Sequence, residues 1–209
     1  MAQALDNDNY QSPFDLIDLT PPLRLLADWV DEAKELGLPN PDAMNLATVD
    51  KDGNPHNRMV LMRHINDTEI GFFTNLESRK ARDIFACGRT SSTLWWPQLG
   101  RQVRVEGSAA EMDREMVDSY FANRPRNSKI AAWSSKQSRE LESMDKLHQV
   151  FDGFSHKFSG ETVPTPPFWG GFIITVDKIE YWLSREFRLH DRVILCKAGD
   201  NWTHRRIYP

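Results

Sequence analysis

The sequence predicts a mainly β protein of the α+β class, in which helices flank one antiparallel sheet that closes into a barrel. The chain has 209 residues, 40% hydrophobic and 27% charged, which is typical of a globular protein with one large core. The first four or five strand-like runs are short and joined by tight turns, and few helices lie between them. Such a meander most easily hides its edges by closing on itself. We therefore expect one domain over residues 21–209, preceded by a mobile lead-in over residues 1–20.

The first elements are predicted from local signals. Pro21 and Pro22 are typical of a first helical turn, and apolar residues then recur at helical spacing from Leu23 to Leu36, where Gly37 ends the helix. A strand is predicted over 44–49, and Asp50-Lys51-Asp52-Gly53 is typical of a hairpin turn. The chain then enters a stretch that carries most of its candidate chemistry.

That stretch runs from Arg58 to Lys80 and combines cations with two strand-like runs. In Arg58-Met59-Val60-Leu61-Met62-Arg63, side-chain alternation places the two arginines on opposite faces, where they could serve two different anions. A second run over 69–75 is followed by Ser78, a predicted N-cap, and then by Arg79 and Lys80. A hydroxyl, free backbone N–H groups and two cations at a helix start suit a phosphate group. By pattern alone, a solvated Ser-Arg-Lys helix start on an ordinary hairpin is the favoured interpretation.

The remaining elements follow in order. A helical section is expected at about 113–158, and a proline-rich linker over 160–167 returns the chain to β structure. The predicted strands are 91–96, 102–110, 169–176, 179–183, 193–197 and 202–207, and the predicted helices are 78–87, 113–123, a short one ending near Trp133, and 140–158.

Composition excludes several classes of function. No apolar run approaches the roughly 20 residues of a membrane span, and the start lacks a signal-peptide pattern, so we expect a cytoplasmic protein. A net charge of −4 disfavours nucleic-acid binding. The two cysteines and six scattered histidines show no ligand spacing, so no metal site is expected.

Three further places concentrate polar residues that a plain barrel does not need. Gln102 opens a strand, and Tyr120, Arg124 and Ser128 follow i, i+4, i+8 spacing, which on a helix brings three polar groups to one side. The third place is Trp182 and the segment after it, where alternation puts Arg188, His190 and Arg192 on one face. Taken singly, each is better explained by surface hydrogen bonds or ion pairs.

Together these blocks resemble the FMN-dependent pyridoxine (pyridoxamine) 5′-phosphate oxidases. The resemblance extends from about Pro39 to Pro209. It includes Arg58-Met-Val-Leu-Met, Phe73-Thr74-Asn75-Leu76-Glu77-Ser78-Arg79-Lys80-Ala81, Arg101-Gln102-Val103, Tyr120-Phe121-Ala122-Asn123-Arg124-Pro125-Arg126, Ser135-Lys136-Gln137-Ser138, Phe168-Trp169-Gly170-Gly171 and Arg188-Leu189-His190-Asp191-Arg192.

The resemblance implies an FMN-binding split barrel that forms a homodimer, with FMN in clefts between the subunits. It implies an oxidase that converts pyridoxamine or pyridoxine 5′-phosphate to pyridoxal 5′-phosphate with O2 as acceptor. The implied catalytic residues are Arg188 and His190. The implied substrate-binding residues are Arg63, Tyr120, Arg124, Ser128, Arg188 and His190. The implied FMN contacts are Arg58, Met59, Val60, Leu61, Met62, Arg63, Phe73, Thr74, Ser78, Arg79, Lys80, Gln102, Gln137, Ser138, Trp182 and Arg192, some of them from the partner chain.

The chain departs from the family pattern at two points that bear on the substrate. Arg63 stands where the family usually has a lysine. The family's N-terminal Arg-x-x-Tyr segment has no clear counterpart among residues 1–20, since no arginine precedes Tyr10. Three alternatives therefore stay open: a sister flavoenzyme of the phenazine-oxidase type, a non-catalytic flavin- or heme-binding split barrel, and an interaction module without cofactor.

Overall fold

The computed structural model describes residues 12–15 and 18–209, and its main feature is a curled antiparallel sheet in the form of a split barrel. The predicted fold class is confirmed. The strands are β1 Ala43–Val49, β2 Pro55–Leu61, β3 His64–Ile65, β4 Glu69–Asn75, β5 Arg89–Trp96, β6 Arg101–Glu111, β7 Trp169–Leu183, β8 Asp191–Ala198 and β9 Asn201–Arg206. The helices are α1 Arg24–Glu35, α2 Arg79–Cys87, α3 Arg114–Ala122, α4 Arg126–Ser134 and α5 Met144–Lys157.

The order of the strands explains how the sheet curls. The main path is β2-β1-β5-β6-β7-β4-β3, and β8 and β9 continue from the far half of β7. Only Met62 and Arg63 separate β2 from β3, so the two ends of this path meet at that connection. There the Met62 N–H donates to the Asp42 carbonyl and the Arg63 N–H to the Gly71 carbonyl, both at 2.8 Å.

β7 is one strand of 15 residues, so the prediction of two separate strands at 169–176 and 179–183 is wrong. The register of β7 with β6 shifts at this point, because Glu106 pairs with Lys178 and Gly107 with Val176, which leaves Asp177 of β7 as the extra, bulged residue. A Cβ atom on Gly107 would lie 2.3 Å from the Thr175 carbonyl oxygen, so only glycine fits at this shift. The unbroken strand carries the sheet from the candidate site to the far end of the barrel.

The barrel interior and α1 form one hydrophobic core. Leu26 and Trp29 of α1 are buried against the sheet, and the Trp29 ring meets the Tyr181 ring edge-on at 5.5 Å. The Tyr181 hydroxyl donates to the Pro22 carbonyl at 2.6 Å and accepts from the Leu26 N–H at 3.1 Å. Burial raises the pKa of this phenol above its ordinary range. One side chain of the sheet therefore fixes the start of α1.

The helices α3, α4 and α5 contribute to a second, smaller core around Phe121, Ile130 and Phe158. The predicted start of α5 at Glu140 is wrong, because the helix begins at Met144 after Ser143, whose hydroxyl accepts from the Lys146 N–H at 3.1 Å. Residues 136–143 are thereby released to form a loop. Among the helices of the described residues, none combines the length and the apolar character of a membrane span.

The described part of the predicted lead-in packs onto the barrel. Phe14 and Leu19 are buried in the main core, and the Ser12 hydroxyl donates to the Asp191 carboxylate. Tyr10 and the other residues of 1–11, together with 16–17, lie outside the described residues. The mobility of the lead-in stays a prediction.

We expect Tyr181→Phe to lower the free energy of unfolding by about 1–3 kcal/mol, because it leaves the buried Pro22 carbonyl and Leu26 N–H without their partner. Urea unfolding followed by circular dichroism measures the change. Tyr208→Phe is the matched control, since this residue is 93% exposed and should change stability by less than about 0.5 kcal/mol. Equal stability of Tyr181→Phe and the wild type would contradict the assignment.

Candidate functional site

A cleft of about 1550 Å³ lies between the barrel and the helical section. β2 and β4 supply one wall, the start of α2 supplies the floor of one end, and α3, α4 and the loop before α5 supply the other wall. Both candidate anion sites predicted from the sequence open into this cleft, at Arg79 and Lys80 and at Tyr120, Arg124 and Ser128.

The first anion site is built around Lys80, whose residue is only 8% exposed. Its ammonium donates to Gln137 Oε1 at 2.7 Å, to Thr74 Oγ1 at 3.1 Å and to Ser78 Oγ at 3.3 Å. These acceptors are neutral oxygens, so the charge of Lys80 is solvated but not neutralised by them. Such a cation is available to an incoming anion.

Neighbouring cations raise the free-energy cost of keeping Lys80 and Arg58 protonated. Burial, together with the charge of Arg58, lowers the pKa of Lys80 to about 8. Burial and the charge of Arg79 lower the pKa of Arg58, which Asp83 partly opposes. Three mutually repelling cations at one end of a cleft are relieved by a multivalent anion.

The loop before α5 closes this end of the cleft. The Thr74 hydroxyl donates to Gln137 Oε1 at 3.2 Å, and the Arg79 backbone N–H donates to Ser138 Oγ at 3.2 Å. Ser138 has a φ of +67°, in the left-handed region that side chains other than glycine seldom adopt. Ser78 is the N-cap residue of α2 by position, but its hydroxyl makes no capping bond and accepts from Lys80 instead.

The second anion site centres on Arg124, which is half-buried. Its guanidinium lies 4.8 Å from the centre of the Trp169 ring and 5.5 Å from that of Phe121. Within the described part of the chain, its Nη1 is buried and has no hydrogen-bond partner. Burial lowers the pKa of this guanidinium. A buried donor without a partner is costly, so this position suits an anionic ligand.

An aromatic stack lines the cleft at the second anion site. Phe73 of β4 and Tyr120 of α3 stack with ring centres 3.9 Å apart, and Phe73 stacks on Trp169 at 5.3 Å. These contacts tie the helical section to the sheet. Phe73, Tyr120 and Trp169 also line the cleft, so a flat ring between the two anion sites would meet an aromatic wall.

Arg58 and Arg63 both line this cleft, as do consecutive residues of β2 from either face of the strand, so their placement on opposite faces stays a prediction. β2 ends at Leu61, and the alternation of a strand does not extend to Arg63. Met59, Val60 and Leu61 line the cleft, whereas Met62 is buried in the core. The Arg63 guanidinium forms an ion pair with Asp42.

Comparison with known proteins bears on what such a cleft is for. The family model described as "Pyridoxamine 5'-phosphate oxidase" matches residues 30–155, and the model described as "Pyridoxine 5'-phosphate oxidase C-terminal dimerisation region" matches residues 169–209. The chain belongs to the pyridoxamine 5′-phosphate oxidase family.

Relatives named pyridoxine/pyridoxamine 5′-phosphate oxidase match most of the chain. One from Rubrobacter xylanophilus is 42% identical over 188 residues, which cover 90% of this chain and 87% of the relative. Another from Cupriavidus taiwanensis is 44% identical over 194 residues, which cover 92% of this chain and 91% of the relative.

Solved structures show the same fold. PhzG from Burkholderia lata 383, in complex with tetrahydrophenazine-1-carboxylic acid, has a TM-score of 0.89 at 26% identity and covers 97% of this chain and 98% of its own. A pyridoxamine 5′-phosphate oxidase-related protein from Nostoc punctiforme has a TM-score of 0.73 at 15% identity, covering 90% and 97%.

Besides Met62 and Ser78, which are buried, five residues predicted as site residues in this oxidase-family chain lie outside the set that lines the cleft: Gln102, Trp182, Arg188, His190 and Arg192. They share a different place, at the far ends of β6, β7 and β8. Trp182 pairs with Gln102 on one side and with Arg192 on the other, and its ring lies 4.6 Å from that of His190. Their roles stay predictions for this single chain.

The turn that carries Arg188 has an unusual backbone. Phe187 and Arg188 have φ angles of +55° and +63°, and the Phe187 side chain is exposed. Two successive residues other than glycine in this region cost of order 1–3 kcal/mol each. Arg192 is held by Glu180, whose Oε1 accepts from the Arg192 Nε at 2.8 Å. Backbone conformation and ion pairing thus hold these five residues together at a place away from the cleft of the same chain.

Sequence reasoning missed three polar residues beneath the first anion site: Thr48, His56 and Asp83. Thr48 of β1 and His56 of β2 are directly paired across the two strands, and Asp83 lies one turn after Arg79 on α2. The available signal in the sequence was the spacing of Asp83, which places its carboxylate on the same face of α2 as Arg79, a predicted phosphate-binding cation. Among residues 12–15 and 18–209, no group of three or more histidine, cysteine or acidic side chains could hold a metal ion.

The lowered pKa of Lys80 predicts a pH-dependent stability. The folded chain loses the Lys80 proton at about pH 8, whereas an unfolded lysine keeps it to about pH 10.4. Between these values the unfolded state binds more protons, so the free energy of unfolding rises with pH. Without ligand, the wild type should therefore gain about 1–3 kcal/mol relative to Lys80→Met between about pH 8 and pH 10.4.

Denaturant unfolding at constant ionic strength measures this difference. Lys51→Met, at an exposed lysine in the β1–β2 turn, is the control and should show no such pH dependence relative to the wild type. Parallel pH profiles of the wild type and Lys80→Met would contradict the prediction.

Proposed function

We propose that this protein is an FMN-dependent oxidase that converts pyridoxamine 5′-phosphate or pyridoxine 5′-phosphate to pyridoxal 5′-phosphate. The amine consumes O2 and water and yields ammonia and H2O2, and the alcohol consumes O2 and yields H2O2. The observation that carries the proposal is the pair of anion sites in one cleft: the Arg58–Arg79–Lys80 cluster and the unpartnered Nη1 of Arg124. Two phosphorylated ligands, a cofactor and a vitamer, match this pair.

The residues of the first anion site fit the phosphate of FMN. Lys80 and Arg79 supply charge, and the loop of Gln137 and Ser138 supplies hydrogen-bonding groups beside them. Met59, Val60, Leu61, Phe73 and Thr74 would line the ring system along the same wall. A bound flavin supplies the two-electron chemistry, accepting a hydride from the substrate carbon and passing the electrons to O2.

The second anion site would hold the 5′-phosphate of the substrate. Arg124 offers a planar fork of donors, and the Tyr120 and Ser128 hydroxyls line the cleft with it. Arg188 and His190 would orient the vitamer ring from the partner subunit of a homodimer, and Gln102, Trp182 and Arg192 would complete the flavin site from there. The match of residues 169–209 to a dimerisation region supports this arrangement. We also propose that the protein acts in the cytoplasm.

The similarity to PhzG favours a second candidate, an oxidase of a phenazine-type ring. That protein was solved with tetrahydrophenazine-1-carboxylic acid, and its TM-score of 0.89 extends over nearly the whole of both chains. Arg124 could pair with a carboxylate instead of a phosphate. The names of the relatives at 42% and 44% identity support the vitamer as the first candidate.

Turnover with matched substrates tests the proposal. Purified protein should be yellow, and pyridoxamine 5′-phosphate should give pyridoxal 5′-phosphate absorbance and one equivalent of H2O2. Unphosphorylated pyridoxamine should have a KM at least about 100-fold higher, because it leaves Arg124 unpaired. Turnover of a dihydrophenazine carboxylic acid without turnover of either phosphorylated vitamer would favour the second candidate.

Arg124→Met should raise the KM for pyridoxamine 5′-phosphate by about 100-fold and leave the FMN content unchanged, because its guanidinium serves the second anion site alone. Arg205→Met, on the exposed strand β9, is the charge-matched control and should behave as the wild type. A loss of FMN in Arg124→Met, with an unchanged KM, would contradict the division of the cleft into two sites.

Arg188→Leu should lower kcat by about 100-fold while FMN stays bound, because orientation of the ring is lost and the cofactor phosphate site is untouched. Steady-state kinetics and the flavin absorbance of the purified variant give both values. Lys197→Leu, at an exposed position of β8, controls for the loss of a cation. Wild-type turnover in Arg188→Leu would remove Arg188 from the site.

A further inference from the structure

A buried carboxylate beneath the first anion site has no role in the chemistry described above. Asp83 of α2 is 5% exposed, and its Oδ2 accepts from the Thr48 hydroxyl at 2.7 Å. The same oxygen lies 3.2 Å from His56 Nδ1 and 3.8 Å from Arg58 Nη2. A carboxylate is buried at a cost, which these three contacts offset.

The contacts of Asp83 fix Arg58 through Thr48. The single hydroxyl proton of Thr48 goes to Asp83, so its oxygen is free to accept from Arg58 Nη1 at 2.7 Å. The same Nη1 lies 3.3 Å from the carbonyl oxygens of Leu46 and His56. Arg58 is thereby held where its charge meets those of Arg79 and Lys80.

Asp83 also fixes the proton on the ring of His56. Because a carboxylate accepts hydrogen bonds, the Nδ1 that faces it carries the ring proton when the imidazole is neutral. The other nitrogen, Nε2, is then an acceptor and repels an anion. His56 lines the cleft and its side chain is 25% exposed, so its ring can gain a second proton from solvent.

The charges around His56 set the direction of this change. Asp83 lies on α2, and Asp50 lies in the β1–β2 turn, where its pKa is lowered chiefly by hydrogen bonds from Asn54 and to a lesser extent by His56. Arg58, on the same strand as His56, opposes protonation of the ring. A phosphate bound among Arg58, Arg79 and Lys80 would add negative charge and favour the second proton.

We propose that His56 is a proton-dependent ligand of the flavin phosphate, and that Asp83 is a positioning residue that fixes both the His56 ring and Arg58. The proposal rests on the proposed function, since it takes FMN as the occupant of the first anion site. It predicts that binding is accompanied by proton uptake at His56, so FMN affinity gains an additional contribution as the pH falls.

The test is FMN binding to the flavin-free full chain, followed by quenching of flavin fluorescence between about pH 5.5 and 8.5, where histidine titrates. The quantity measured is the ratio of the Kd of His56→Gln to that of the wild type. Glutamine keeps a polar side chain but cannot titrate, and titration of the FMN phosphate itself cancels in the ratio. We expect a ratio of about 5–10 at the acid end and about 1 at the alkaline end.

Two controls isolate the phosphate and the position. With riboflavin, which lacks the phosphate, the ratio should be about 1 at every pH. His64→Gln, at a half-buried histidine of β3 outside the cleft lining, should match the wild type throughout. A ratio that does not change with pH, in a chain that binds FMN, overturns this inference alone. Failure of the wild type to bind FMN at any pH overturns the proposed function and this inference with it.

Asp83→Asn tests the positioning role separately. An amide can donate to Nδ1, so the neutral ring should shift toward the Nε2–H tautomer, which the 15N chemical shifts of His56 report. The pH-dependent gain in FMN affinity should shrink in Asp83→Asn. The Asp83→Asn/His56→Gln double variant should lose no more of this pH dependence than His56→Gln alone. An unchanged His56 tautomer and an unchanged pH profile in Asp83→Asn would remove Asp83 from this role.

Discussion

The structure depends on holding several cations close together in a partly buried cleft. Arg58 and Lys80 lose water, and the pKa of each is lowered by burial and by a neighbouring cation. The contacts of Lys80 are to a carbonyl oxygen and two hydroxyls, which solvate its charge without cancelling it. The unliganded chain therefore carries an electrostatic cost at this site, and a bound dianion would remove it. The same cluster of cations that would attract an anion thus lowers the stability of the unliganded chain.

The scaffold meets this constraint by bringing distant parts of the chain together. The sheet supplies Arg58 and Thr74 on rigid strands, and the start of α2 supplies Arg79 and Lys80. The helical section covers the cleft through Gln137 and through the stack of Tyr120 on Phe73. Because the aromatic contacts fix the helices against the sheet, the second anion site stands at a set distance from the first.

The ion pair of Arg63 distinguishes this chain at the position where the resemblance leads one to expect a lysine. Arg63 forms an ion pair with Asp42, a buried residue directly before β1. The anion sites of the cleft then depend on the remaining cations, and Arg124 is the one with a buried, unpartnered donor among the described residues. Discrimination between phosphate and carboxylate substrates would therefore test the proposed role of Arg124 directly.

The sequence by itself determined the local elements and the candidate cations. Helical spacing marks α1, Gly37 marks its end, and the blocks around Arg79 and Arg124 carry the family resemblance, because these signals lie within a few residues of one another. Tertiary structure decided what those side chains meet. The start of α5 at Met144, the unbroken β7, the pairing of Arg63 with Asp42 and the contact of His56 with Asp83 depend on strand register and on packing between distant segments. Such contacts are a property of the assembled barrel, since no spacing along the chain encodes which side chains share a buried space.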